Sequence, residues 1–153
     1  MILPAVAALM LGAGSHAAGT PPAPAPPMPA PPMPAPPMVV IDEADTRRDE
    51  PPPHGAIGMS TAFRISDAVP APRAMEFRRR VLHVRAAIGE HPINHDEVYY
   101  VLSGRGEVVS DGVKAMLEPG MAAYLHRGAV VGIAQVGDAP LDLIISYPNP
   151  PTP

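Results

Sequence analysis

The run "PPAPAPPMPAPPMPAPPM" at residues 21–38 constrains this chain more than any other feature. Proline fixes φ near −65° and has no N–H to place in a helix or sheet ladder. "PAPPM" repeats three times in register, at 24–28, 29–33 and 34–38, and such a tract adopts polyproline II rather than joining a packed domain. At about 3.1 Å per residue it would reach roughly 55 Å, the length of a spacer. P-x-x-P spacings are present, but nothing basic flanks them, so a spacer is preferred to a ligand for a Pro-binding partner. Met28, Met33 and Met38 would stand roughly 15 Å apart on such a rod, too far to share a copper ion.

Ahead of the tract, "MILPAVAALML" is apolar and leads into Ser15-His16-Ala17, small residues where a signal peptidase reads. The run is too short to cross a bilayer as a free helix. Residues 1–18 are therefore expected to be a signal peptide or apolar N-terminal segment, although no Lys or Arg precedes the run. The mature protein is expected to be periplasmic or secreted, with no transmembrane span. Residues 19–54 read as a Pro-rich spacer ending in the charged linker "DEADTRRDEPPPH", which leaves 55–148 to fold. A formal charge of −4 gives no footprint for nucleic acid. The absence of Cys removes disulfides and thiolate chemistry.

The foldable part reads as all-β. Short β-branched and aromatic runs at 78–84, 98–102, 107–110, 113–117, 122–125, 130–136 and 141–147 are separated by turn signals such as "AAIG", "SGRG", "EPG" and "GDAP". Asp111-Gly112 is the strongest hairpin signal, because a two-residue turn with φ > 0 favours that pair. The spacing predicts a small antiparallel barrel or sandwich. Arg78, Arg79 and Arg80 read as a solvated strand edge, and Tyr100 and Met116 as barrel packing.

Two segments resemble the motifs of the cupin superfamily, specifically its compact single-domain members. His91, Glu97 and Gly104, with "DEVYYVLSGRGEV" and the following "DG", are similar to the first motif; Pro119-Gly120, Gly128 and "QVGDAPLDLI" are similar to the second. The resemblance implies a small jelly-roll-like β-barrel, and a divalent metal held by histidines and a glutamate. Here Ile93 and Val131 stand where two of those histidines would be, and His126 takes the place of the second motif's Pro. Only His91 and Glu97 remain, a degenerate metal motif.

With two ligands the expectation is no tightly held cofactor, and if any, Fe, Mn, Ni or Zn. The preferred reading is a module that binds or senses a small molecule through His91, Glu97, Tyr99 and Gln135. Ile93 and Val131 would supply an apolar wall, and His91 or an Arg such as Arg80 would pair with Glu97. One alternative is a metal-dependent oxygenase or isomerase of small acids or sugars that uses His91, His95 and Glu97, with His83 or His126 as a fourth ligand. Another is a homodimeric assembly module pairing through an exposed edge at residues 60–70.

Overall fold

The computed structural model describes residues 35–149. The expected signal segment and most of the PAPPM tract lie outside them. Ten strands run in chain order: β1 (Arg47–Glu50), β2 (Ser60–Phe63), β3 (Met75–Leu82), β4 (Ala87–Pro92), β5 (Glu97–Ser103), β6 (Gly106–Ser110), β7 (Val113–Leu117), β8 (Ala122–Leu125), β9 (Val130–Gln135) and β10 (Leu141–Pro148). They form two antiparallel sheets, ordered β1-β2-β3-β10-β5-β8 and β4-β9-β6-β7. Among the described residues no helix is long and apolar enough to cross a membrane.

β5 and β10 follow the alternation expected of half-buried sheet. Glu97, Tyr99 and Val101 on β5 point inward, as do Leu141, Leu143 and Ile145 on β10. Leu82, Val101, Val131, Leu141 and Leu143 lose essentially all contact with solvent, each contributing roughly 1.5–3 kcal/mol by burial. Residues of both sheets meet in one core that includes Leu82, Val108, Leu117, Ile133 and Leu143. Between β6 and β7, Asp111 and Gly112 have φ of 48° and 78°, the left-handed pair that a two-residue hairpin turn needs.

Several expectations are corrected. The presumed linker contains β1, whose Arg47–Glu50 pair with Phe63–Ser60. A strand of four charged residues is stable there because it is an edge, and because Asp49 accepts from Thr61 Oγ1 at 2.8 Å while Glu50 binds Arg64 and Arg80. For the same reason residues 60–63 are not an open edge: β2 lies between β1 and β3. The "AAIG" turn is instead the start of β4, where Ala87 and Ile88 pair with Ala134 and Ile133.

The arginine run is not a solvated edge either, since β3 is flanked by β2 and β10. Alternation puts Arg79 on the outer face, bonded to Asp142 at 2.7 Å and to Glu43. Arg78 and Arg80 turn inward. Tyr100 and Met116 lie on outer faces, both about 40 % exposed, and do not pack in the core.

Candidate functional site

One end of the interior is polar. Along the inner face of β3, Glu76, Arg78 and Arg80 follow one another before Leu82, and β10 places Ile145 and Leu143 beside Arg78 and Arg80. β5 adds Glu97 and Tyr99, and Tyr147 ends the row on β10. Of these, Arg78, Arg80, Glu97, Tyr99, Ile145 and Tyr147 line a cavity of about 540 Å³, to which His91, Ile93 and His95 also contribute.

His91 reaches the cavity through an irregularity in β4. Ile88 pairs with Ile133 and His91 with Val131, so three steps on β4 face two on β9. An unbroken period of two would have turned Glu90 inward; the extra residue turns His91 inward instead. Its Nδ1 lies 2.9 Å from the carbonyl of Gly89. A carbonyl can only accept, so Nδ1 carries a proton. The imidazole stacks on His54, with ring centroids 3.5 Å apart and planes 8° apart. Burial, then the neighbouring His91, lowers the His54 pKa, keeping that ring neutral.

His54 belongs to a loop between β1 and β2 that the sequence reading left outside the domain. Pro53 and His54 border the cavity, and the loop is pinned at Gly89, where an added Cβ would stand 1.7 Å from the His54 carbonyl oxygen. Gly89→Ala therefore has to push this loop away. The expected cost is about 2 kcal/mol in urea unfolding, with loss of the His54–His91 stack in the imidazole NMR signals. An unshifted His91 signal would show that the loop is held elsewhere.

Glu97 is 5 % exposed. Burial pushes its carboxyl up to about 7, opposed by the positive charge of Arg78. His95 Nε2 lies 3.7 Å from Glu97 Oε2, beyond hydrogen-bond distance. Burial, and then His91, lowers the His95 pKa against the pull of Asp96, and the ring stacks on Tyr147 at 4.3 Å. Burial also raises the Tyr99 phenol.

The expected Arg80–Glu97 pair does not form. Arg80 is 6 % exposed and donates from Nη1 to Ser60 Oγ at 2.6 Å and from Nη2 to Glu50 at 3.0 Å. Arg78 is the cation beside Glu97, and its Nε and Nη2 are anchored on Glu76 at 3.1 and 3.0 Å. Burial works against the charge of Glu76, but hydrogen bonds from Asn149, Arg78 and Arg73 outweigh it and hold its pKa low.

Of the sequence-expected residues, His91, Glu97, Tyr99 and also His95 line the cavity; Gln135 does not. The Gln135 amide accepts from the Arg85 N–H at 2.7 Å and donates to the Gly137 and Ala139 carbonyls, so it fastens two loops together. His83 contacts Thr61, and His126 is an exposed turn residue beside Tyr124. Arg78, Arg80, His54 and Tyr147 are cavity residues that the sequence reading did not single out.

The donor set does not fit a resident metal. Ile93 and Val131 are buried apolar residues at the positions where ligands were implied, and among the described residues no three His, Asp or Glu side chains gather around one point. Incubation with Fe, Mn, Ni or Zn salts followed by repurification is expected to leave less than one ion per chain by elemental mass spectrometry. One tightly held ion would require His91, His95 and Glu97 to converge.

The family described as "Cupin domain" matches residues 79–147, from within β3 into β10. Over these residues the chain matches a cupin domain and has its all-β fold. The cupin fold is shared with a protein from Thermotoga maritima described as a predicted oxalate decarboxylase: 20 % identity, TM-score 0.64, covering 72 % of this chain and 98 % of that one. An RmlC-like cupin from Shewanella frigidimarina superposes with TM-score 0.54 at 17 % identity, over 70 % and 87 % of the two chains. A Cupin 2 conserved barrel domain protein from Salinispora arenicola gives TM-score 0.53 at 23 % identity, over 74 % and 88 %. At such identities the likeness is one of fold, and cupin folds host unrelated chemistries. No curated protein matches the chain.

Proposed function

We propose that the cupin domain is a small-molecule binding or sensing module, carried by an exported protein on its Pro-rich spacer. The observation that supports this most is Glu97. It is nearly buried and faces a cavity, and among the described residues no hydrogen bond contributes to its pKa. A buried polar group without a partner is costly, and a ligand that supplies the partner gains what the apo protein forgoes. The remaining lining combines Ile88, Ile93, Ile145 and Tyr99 with a few polar groups, the mixture that holds and orients small ligands. The apolar N-terminal run supports export.

The test is a thermal-shift screen of small polar and acidic compounds against the full chain, with His91→Ala as comparator. A ligand of this site raises the melting temperature of the wild type and raises that of His91→Ala less, while His91→Ala melts close to the wild type without ligand. A screen in which every stabilising compound acts equally on both proteins removes the cavity as the binding site.

A further inference from the structure

The cavity's charge is lopsided. Two guanidiniums line it, yet the acids that balance them do not: Glu76 and Glu50 lie outside the lining, and Glu97 is the one carboxyl within it. Glu76 is itself held by Arg73 at 2.9 Å and Asn149 at 3.1 Å, so Arg78 is fixed from behind. This anchoring engages Nε and Nη2 of Arg78 and leaves Nη1 without a hydrogen bond among the described residues. Arg78 is also the charge that acts on both Glu97 and Tyr147. Around this point the walls are apolar: Ile88, Ile93, Ile145 and the Tyr99 ring.

We propose, resting on the reading of the cavity as a ligand site, that the ligands are small organic acids with an apolar body. The carboxylate meets the free Nη1 of Arg78 and the carboxyl of Glu97, and the body lies among Ile88, Ile93 and Ile145. A neutral, many-hydroxyl sugar fits the same space less well, because hydroxyls set against Ile88, Ile93 and Ile145 would find no hydrogen-bond partner there. A carboxylate fits because the fixed guanidinium compensates its charge without having to move. Glu97 carrying its proton donates to the same carboxylate; ionised, it would repel it.

The probes are benzoate, benzamide and glucose, titrated into the full chain with 13C-labelled isoleucine methyls. Ile88, Ile93 and Ile145 line the cavity, and Ile133 and Ile144 serve as internal controls. Benzoate is expected to shift the three cavity methyls saturably, at a concentration at least ten-fold below any effect of benzamide or glucose. Arg78→Lys keeps a charge for Glu76 but loses the free Nη1, and it should erase most of the preference of benzoate over benzamide. Benzamide or glucose acting as well as benzoate overturns the acid class while leaving the cavity a ligand site. No cavity shift with any probe overturns both. A folded Arg78→Lys protein with the full benzoate preference overturns the role of Arg78.

Discussion

Glu50→Ala is expected to destabilise the domain by about 3 kcal/mol, a large share of the stability of a domain this size. Arg80 is almost fully buried, and among the described residues Glu50 is its only acidic partner. Burial pulls the Arg80 pKa down while Glu50 pulls it up, so the ion pair keeps a guanidinium tolerable in the interior. Glu50 also holds Arg64 at 2.7 Å, and its loss frees two cations at once. Urea unfolding at neutral pH reads the change. The double variant Glu50→Leu with Arg80→Met should recover most of the loss, since two apolar residues leave no buried charge. A loss below about 1 kcal/mol in Glu50→Ala would mean that water in the cavity solvates Arg80.

The second expectation is a pH slope set by Glu97. Its carboxyl moves from an ordinary 4.5 to about 7 on folding, mainly through burial. A carboxyl whose pKa rises on folding stabilises the protein fully below the unfolded value, and that contribution is lost as pH rises through the folded value. The window therefore runs from about pH 4.5 to about pH 7, with roughly 3 kcal/mol at stake. Glu97→Gln cannot ionise and lacks this slope. Unfolding free energies at pH 4.5, 6 and 7.5 should show the wild type falling relative to Glu97→Gln by about that amount, then running parallel to it above pH 7. A difference that stays constant with pH would place the carboxyl in contact with solvent.

The strands from β5 to β10 were legible because each is a short run rich in apolar residues that ends at a turn signal with a physical cause, as at Asp111-Gly112. β1 was not, since four consecutive charges carry no alternation, and what holds them is long-range pairing with Thr61, Arg64 and Arg80. β4 was missed because Gly89, Pro92 and the extra residue break its period. Glu97 and Tyr99 could be placed from strand parity alone. Arg80 could not be assigned its partner, because choosing between Glu97 and Glu50 requires knowing that β1 joins the sheet. His54 was hidden for the same reason: it lies in what looked like a linker.

The extra residue in β4 also bears on how this barrel can vary. Pairing with β9 resumes at His91 opposite Val131, with two residues between Ile88 and His91 where unbroken pairing needs one. A one-residue deletion at Gly89 or Glu90 would therefore leave His91 facing inward and every later strand in register. The same deletion would remove the notch in which the His54 carbonyl sits. Insertions and deletions at this one point can add or remove the cover over the cavity while the groups inside it stay in place.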